Sequence, residues 1–161
     1  MYALWVEPAQ ARVIAMIDSS VKAFCKEILD EGLEIFDLSL GIVSKVENNI
    51  YQIVAVMPED GVFQAGELFD LKDTYCREVI ETGSTVALTQ LGKTPGLCKH
   101  PLYSGLSLEA YIATPITIDG KVWGTLNFSS MKIRDQEFSK EEIDLIQSRA
   151  ESLAEKLKAN L

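Results

Sequence analysis

Apolar residues at Ile14, Ile17, Val21, Phe24 and Ile28 recur at alternating spacings of three and four, the period of a helix with one apolar stripe. Val13, Cys25 and Leu29 widen the stripe, and within it Cys25 reads as a small core hydrophobe. Pro8 suits a first turn and Gly32 a stop, so residues 8–31 are predicted to be helical. A second seam, Ile143, Ile146, Ala150, Leu153 and Leu157, follows Ser139-Lys-Glu-Glu142, a capping box, and predicts a helix over 139–159. Two such seams predict a parallel homodimer through the terminal helices, with Ile17 and Ile146 in its interface.

Between the helices the period drops to two. Residues 38–47 and 50–57 read as strands, joined at Asn48-Asn49 by a tight turn that needs positive φ. Pro58, Asp60-Gly61 and Gly66 mark a loop over 58–70. Asp73 caps a short helix ending at Gly83, and residues 85–88 form a short strand. Residues 90–107 form a long loop, a feature that inside a compact domain is usually functional. The strongest β signal is the hairpin 111–118 and 121–129 about Asp119-Gly120. The order predicts an α+β fold: a central antiparallel sheet of five or six strands with the terminal helices on one face. The short helix and the long loop cover the other face. With no repeat and no linker, residues 1–161 are read as a single domain.

Composition narrows the function. The chain has 161 residues and a formal net charge of −9, with no cationic cluster, so neither nucleic acid nor an anionic membrane surface is an expected partner. Three cysteines without ligand spacing and one histidine give no zinc site. The first residues carry no basic and apolar leader, and no apolar run reaches membrane-span length, so the expected location is cytoplasmic with reduced thiols. No phosphate-binding glycine loop and no nucleophile–base motif is present.

Three segments together resemble a GAF domain: Leu40-Gly-Ile-Val-Ser, Asp73-Thr-Tyr-Cys-Arg-Glu-Val-Ile-Glu-Thr-Gly83, and the hairpin with Thr114-Pro-Ile and Trp123-Gly-Thr-Leu-Asn. The resemblance covers nearly the whole chain and is specific to the fold, not to a ligand. It implies a small-molecule sensor in signal transduction, dimeric through its terminal helices, that feeds a kinase or another output domain. The ligand, and any cofactor, stays unidentified.

A two-residue turn at Asp119-Gly120 sets a register in which Ile112, Thr114, Ile116, Trp123, Thr125, Asn127 and Ser129 share a face. Hydroxyls and an amide among hydrophobes suit a pocket. The resemblance brings Cys76 of the short helix and Cys98, His100 and Tyr103 of the long loop over that face. Cys76, Cys98, His100, Tyr103, Thr114, Trp123, Thr125, Asn127 and Ser129 are therefore the candidate ligand-binding residues. Cys76 lies in a first helical turn, where free N–H groups lower a thiol pKa.

Two subtypes of the family make separate demands. Covalent bilin attachment uses a Cys directly before a His and a second His on the last strand, where this chain has Lys99 and Ser129. The alternative to a sensor is an enzyme resembling the free methionine sulfoxide reductases, with Cys98 as nucleophile and Cys76 as resolving thiol. The positions matching that family's amine-binding carboxylates are Tyr111, Asn127 and Ser129.

Overall fold

The computed structural model describes residues 18–93 and 107–160. Helix α1 spans Ser19–Phe36 and strands β1 (Leu40–Glu47), β2 (Ile50–Met57) and β3 (Leu68–Asp70) follow. A 3₁₀ turn leads into the short helix α2 (Cys76–Thr82), then β4 (Val86–Leu88), β5 (Ala110–Ile118), β6 (Lys121–Ser130) and helix α3 (Lys140–Ala159). The six strands form one antiparallel sheet in the order β3-β2-β1-β6-β5-β4. The architecture is α+β as expected, with α1 and α3 over one face and α2 over the other.

The local signals that set the turns and caps are satisfied. Asn48 and Asn49 have φ of 53° and 62°, and Asp119 and Gly120 have 51° and 79°, so both hairpins turn through paired left-handed residues. The Ser139 hydroxyl accepts from Glu142 N–H at 3.1 Å, and the Glu142 carboxylate accepts from Ser139 N–H at 2.9 Å, which closes the capping box. Asp18 caps α1 by accepting from Ser20 N–H and Val21 N–H. Arg134 fixes the two helix ends to each other, donating to the Phe36 carbonyl at 3.2 Å and to Glu142 at 2.6 Å.

Three expectations are corrected. First, α1 does not stop at Gly32 but runs on to Phe36, where Asp37 supplies the left-handed cap at φ 54°. Gly32 is there for space: a Cβ on it would lie 2.1 Å from Phe128 Cζ, so the glycine admits the aromatic ring against the helix.

Second, the two helical seams are spent inside the protomer. Val21, Ile28, Ile146, Ala150, Leu153 and Leu157 are buried in the core between the helices and the sheet. They therefore no longer point to a partner helix, and Ile14 and Ile17 lie outside the described residues.

Third, the β5–β6 register shifts partway along the hairpin. Ile118 pairs with Lys121 and Thr117 with Val122, but Ile116 pairs with Gly124, which leaves Trp123 as one extra residue. From there on Ile112 stands beside Phe128, Ala113 beside Asn127 and Tyr111 beside Ser129. Thr125, Asn127 and Ser129 of β6 keep the predicted face, while Trp123 and the β5 half are exchanged to the other side. The bulge places Gly124 hard against β1, where a Cβ would lie 1.8 Å from the Ser44 carbonyl oxygen, so only glycine fits the Trp-Gly-Thr segment at this crossing.

Candidate functional site

The sheet face under α2 carries a second buried cluster. It is built from Ile42 of β1, Tyr51 and Ile53 of β2, Tyr111 and Ala113 of β5, and Tyr75, Cys76 and Val79 at α2. Register explains the assembly. On β1 and β6 Ile42 pairs with Asn127 and Ser44 with Thr125, so both polar residues of β6 stand in the middle of this face.

Six polar side chains from four strands and α2 converge there. Asn127 Nδ2 lies 3.2 Å from Tyr51 Oη and 3.4 Å from both Cys76 Sγ and Thr125 Oγ1. Tyr111 Oη is 3.1 Å from the same sulfur, and Thr125 Oγ1 donates to it at 3.4 Å. Below them the Ser44 and Thr125 hydroxyls are 2.6 Å apart. An amide has two N–H bonds, so Asn127 cannot serve its three acceptors at once, and the network retains hydrogen-bonding capacity for an additional group.

The network borders a cavity of about 40 Å³. Asn127, Ser129, Cys76 and Thr74 give it polar edges, while Phe63, Phe69, Tyr51, Tyr75 and Tyr111 wall it. The walls are two ring sets: Tyr51 and Phe63 each meet Phe69 edge-on, at 6.3 and 5.9 Å, and Tyr75 tilts against Tyr111 at 5.9 Å.

Burial governs the titration of these groups. It pushes the Cys76 thiol up from the ordinary 9.0, against hydrogen bonds from Thr125, Tyr111 and Tyr51 that act downward. The expected lowering at a helix start is overridden, because a thiolate in this apolar pocket would lose its hydration. Burial also lifts Tyr51 and Tyr111 well above the ordinary 10.0, and lifts Cys25 in the opposite core to about 11 from 9.0. All four are neutral when protonated, so the fold favours the protonated form. Their contribution to stability is full below the unfolded thiol value near 9.0 and is lost as pH rises toward the folded values. Urea midpoints are accordingly expected to hold between about pH 7 and about pH 8.5 and to fall steadily above about pH 9. A midpoint that rises over that alkaline range would contradict the assignment.

The candidate residues divide. Cys76, Thr125, Asn127 and Ser129 are brought together on the pocket side. Thr114 and Trp123 are not, because the bulge turns them to the helix side. Thr114 Oγ1 meets Thr85 Oγ1 at 2.8 Å, and Gln147 of α3 donates to the same Thr85 oxygen at 2.9 Å. Trp123 packs on the helix-side core with Lys45 Nζ 5.9 Å from its ring centroid. Cys98, His100 and Tyr103 lie outside the described residues. Sequence reasoning missed Tyr51, Tyr75 and Tyr111, the three phenols of the pocket. The two-residue period of β2 places Tyr51 with Ile53, and that alternation was the available signal.

Residues 20–157 match the GAF domain family. The chain belongs to that family. A search of curated proteins found no sequence match. Among solved structures, the GAF domain of Thermosynechococcus elongatus PixJ in its blue-light-absorbing form is similar at TM-score 0.71 and 20% identity, covering 96% of this chain and 90% of that one. The GAF domain of a Coxiella burnetii phosphoenolpyruvate-protein phosphotransferase matches at TM-score 0.73 and 14% identity, over 94% and 92% of the two chains. Its Acinetobacter counterpart matches at TM-score 0.72 and 13% identity, over 94% and 92%. At these identities the likeness concerns the fold of this GAF domain. Among the described residues no helix is long and apolar enough to cross a membrane.

Proposed function

We propose that this GAF domain is a regulatory module that binds a small molecule in the cavity between its sheet and α2. One observation carries the reading. A thiol, hydroxyls and an amide are held together in a buried, otherwise apolar pocket and border open space. Stability alone favours apolar side chains at such positions, since each buried polar group must recover its lost hydration. Polar groups kept at that cost beside a cavity are suited to recognition.

The cavity of about 40 Å³ has room for a few waters at most, and a drug-sized ligand needs roughly 300–1,000 Å³. Entry of anything larger therefore requires the aromatic walls to part. Phe63 sits in the turn-rich segment between β2 and β3, outside any strand or helix and next to Val62, which is 77% exposed. The small cavity also favours a second reading, a domain whose pocket is filled by its own side chains and whose role is structural.

Transmission is proposed to run through β5. This strand places Tyr111 and Ala113 in the pocket cluster, and Ile112 and Ile116 in the core against α1 and α3. The Thr114–Thr85–Gln147 chain adds a polar connection from β5 to α3. A ligand that shifts Tyr111 would bias the packing of the terminal helices, and a kinase or output domain in the cytoplasm would read that bias.

The test is Asn127→Leu. It keeps the side-chain size, removes the amide from the pocket, and is expected to weaken retention of the bound molecule by about one to two decades while the far-UV spectrum is kept. Unchanged retention would favour the self-filled pocket.

A further inference from the structure

The pocket reading leaves the ligand open, and the charge of the pocket narrows it. Among the described residues that line the cavity, none is Asp, Glu, Lys, Arg or His. The polar groups that face it are an amide, hydroxyls and a thiol, with Asn127 and Ser129 at one edge and the Phe63, Phe69 and Tyr75 rings around the rest. An ionised ligand group here would lose its hydration with no counter-ion among the described lining residues to replace it.

We infer that the pocket selects an uncharged molecule with one hydrogen-bonding end, seated on Asn127 and Ser129, and an apolar body between the aromatic walls. The inference rests on the pocket reading and adds the chemical class of ligand. It excludes phosphate esters, carboxylates and amines whose charged group has to enter the cavity.

The experiment uses the wild-type chain and probes of matched shape. Benzamide, benzoate and benzylammonium differ in charge at nearly constant size, and acetamide and acetate form a smaller pair. Each is titrated at about pH 7 while the Asn127 side-chain amide signals are followed by two-dimensional nitrogen–proton NMR. The neutral amide of at least one set is expected to shift those signals, with the charged analogues of that set weaker by about a hundredfold or more. Benzoate, acetate or benzylammonium binding as tightly as its neutral analogue would overturn the inference and leave the pocket reading standing. Silence of the Asn127 signals to all five probes would overturn both.

Discussion

Ile146→Glu is expected to unfold the domain. Ile146 is fully buried in the core between α3 and the sheet, together with Ala150 and Leu153. A carboxylate there is set among apolar side chains, with the neighbouring Arg149 already paired to Glu31, and an unpaired buried charge costs several kcal/mol, a large share of the roughly 5–15 kcal/mol that stabilises a domain. Circular dichroism and size exclusion of the purified variant are expected to show loss of cooperative structure or an expanded state. A folded monomer with an unchanged melting curve would mean that Ile146 faces outward, and would restore the helix seam as a subunit interface.

The second large effect is expected at Phe128. Its ring is 1% exposed, lies 5.1 Å from that of Phe36, and fills the space left by Gly32 and Gly41. Phe128→Ala removes the contact centre of α1, β1 and β6, and a loss of about 3–5 kcal/mol in urea denaturation is expected. The glycine gives the prediction a second edge. In the wild type Gly32→Ala drives a methyl into the ring and destabilises. In the Phe128→Ala background the same change is expected to stabilise, because the space is open and alanine is a better helix former by about 1 kcal/mol. Equal effects of Gly32→Ala in both backgrounds would contradict the packing described.

These residues also show what the sequence conveys and what it withholds. Turn and cap chemistry is local, so Asn48-Asn49, Asp119-Gly120 and the Ser139–Glu142 box are legible in a few adjacent residues. Gly32 was misread because a glycine after an apolar stripe has two physical causes, a helix stop or a close approach. Only the position of Phe128, distant in sequence, decides between them. The bulge at Trp123 was invisible for a related reason. It accompanies the contact of Gly124 with the Ser44 carbonyl of another strand, and alternation within one hairpin carries no trace of it. Asn127, Thr125 and Ser129 were placed on the pocket side because β6 keeps its period beyond the bulge, while Thr114 and Trp123 were misplaced. The helix seams were real as apolar stripes, but periodicity does not say whether a stripe meets the domain's own sheet or a second chain. For Cys76 the sign of the pKa shift depended on burial, which is set by Tyr51, Tyr111 and Asn127 closing around it from other strands.

Native mass spectrometry, after exposure to a low-molecular-weight cell extract, tests the pocket most directly. The account predicts a wild-type species heavier than the bare chain by one small molecule, and loss of most of that species in Asn127→Leu. The bare chain alone from the wild type, or an adduct equally abundant in the variant, would contradict it.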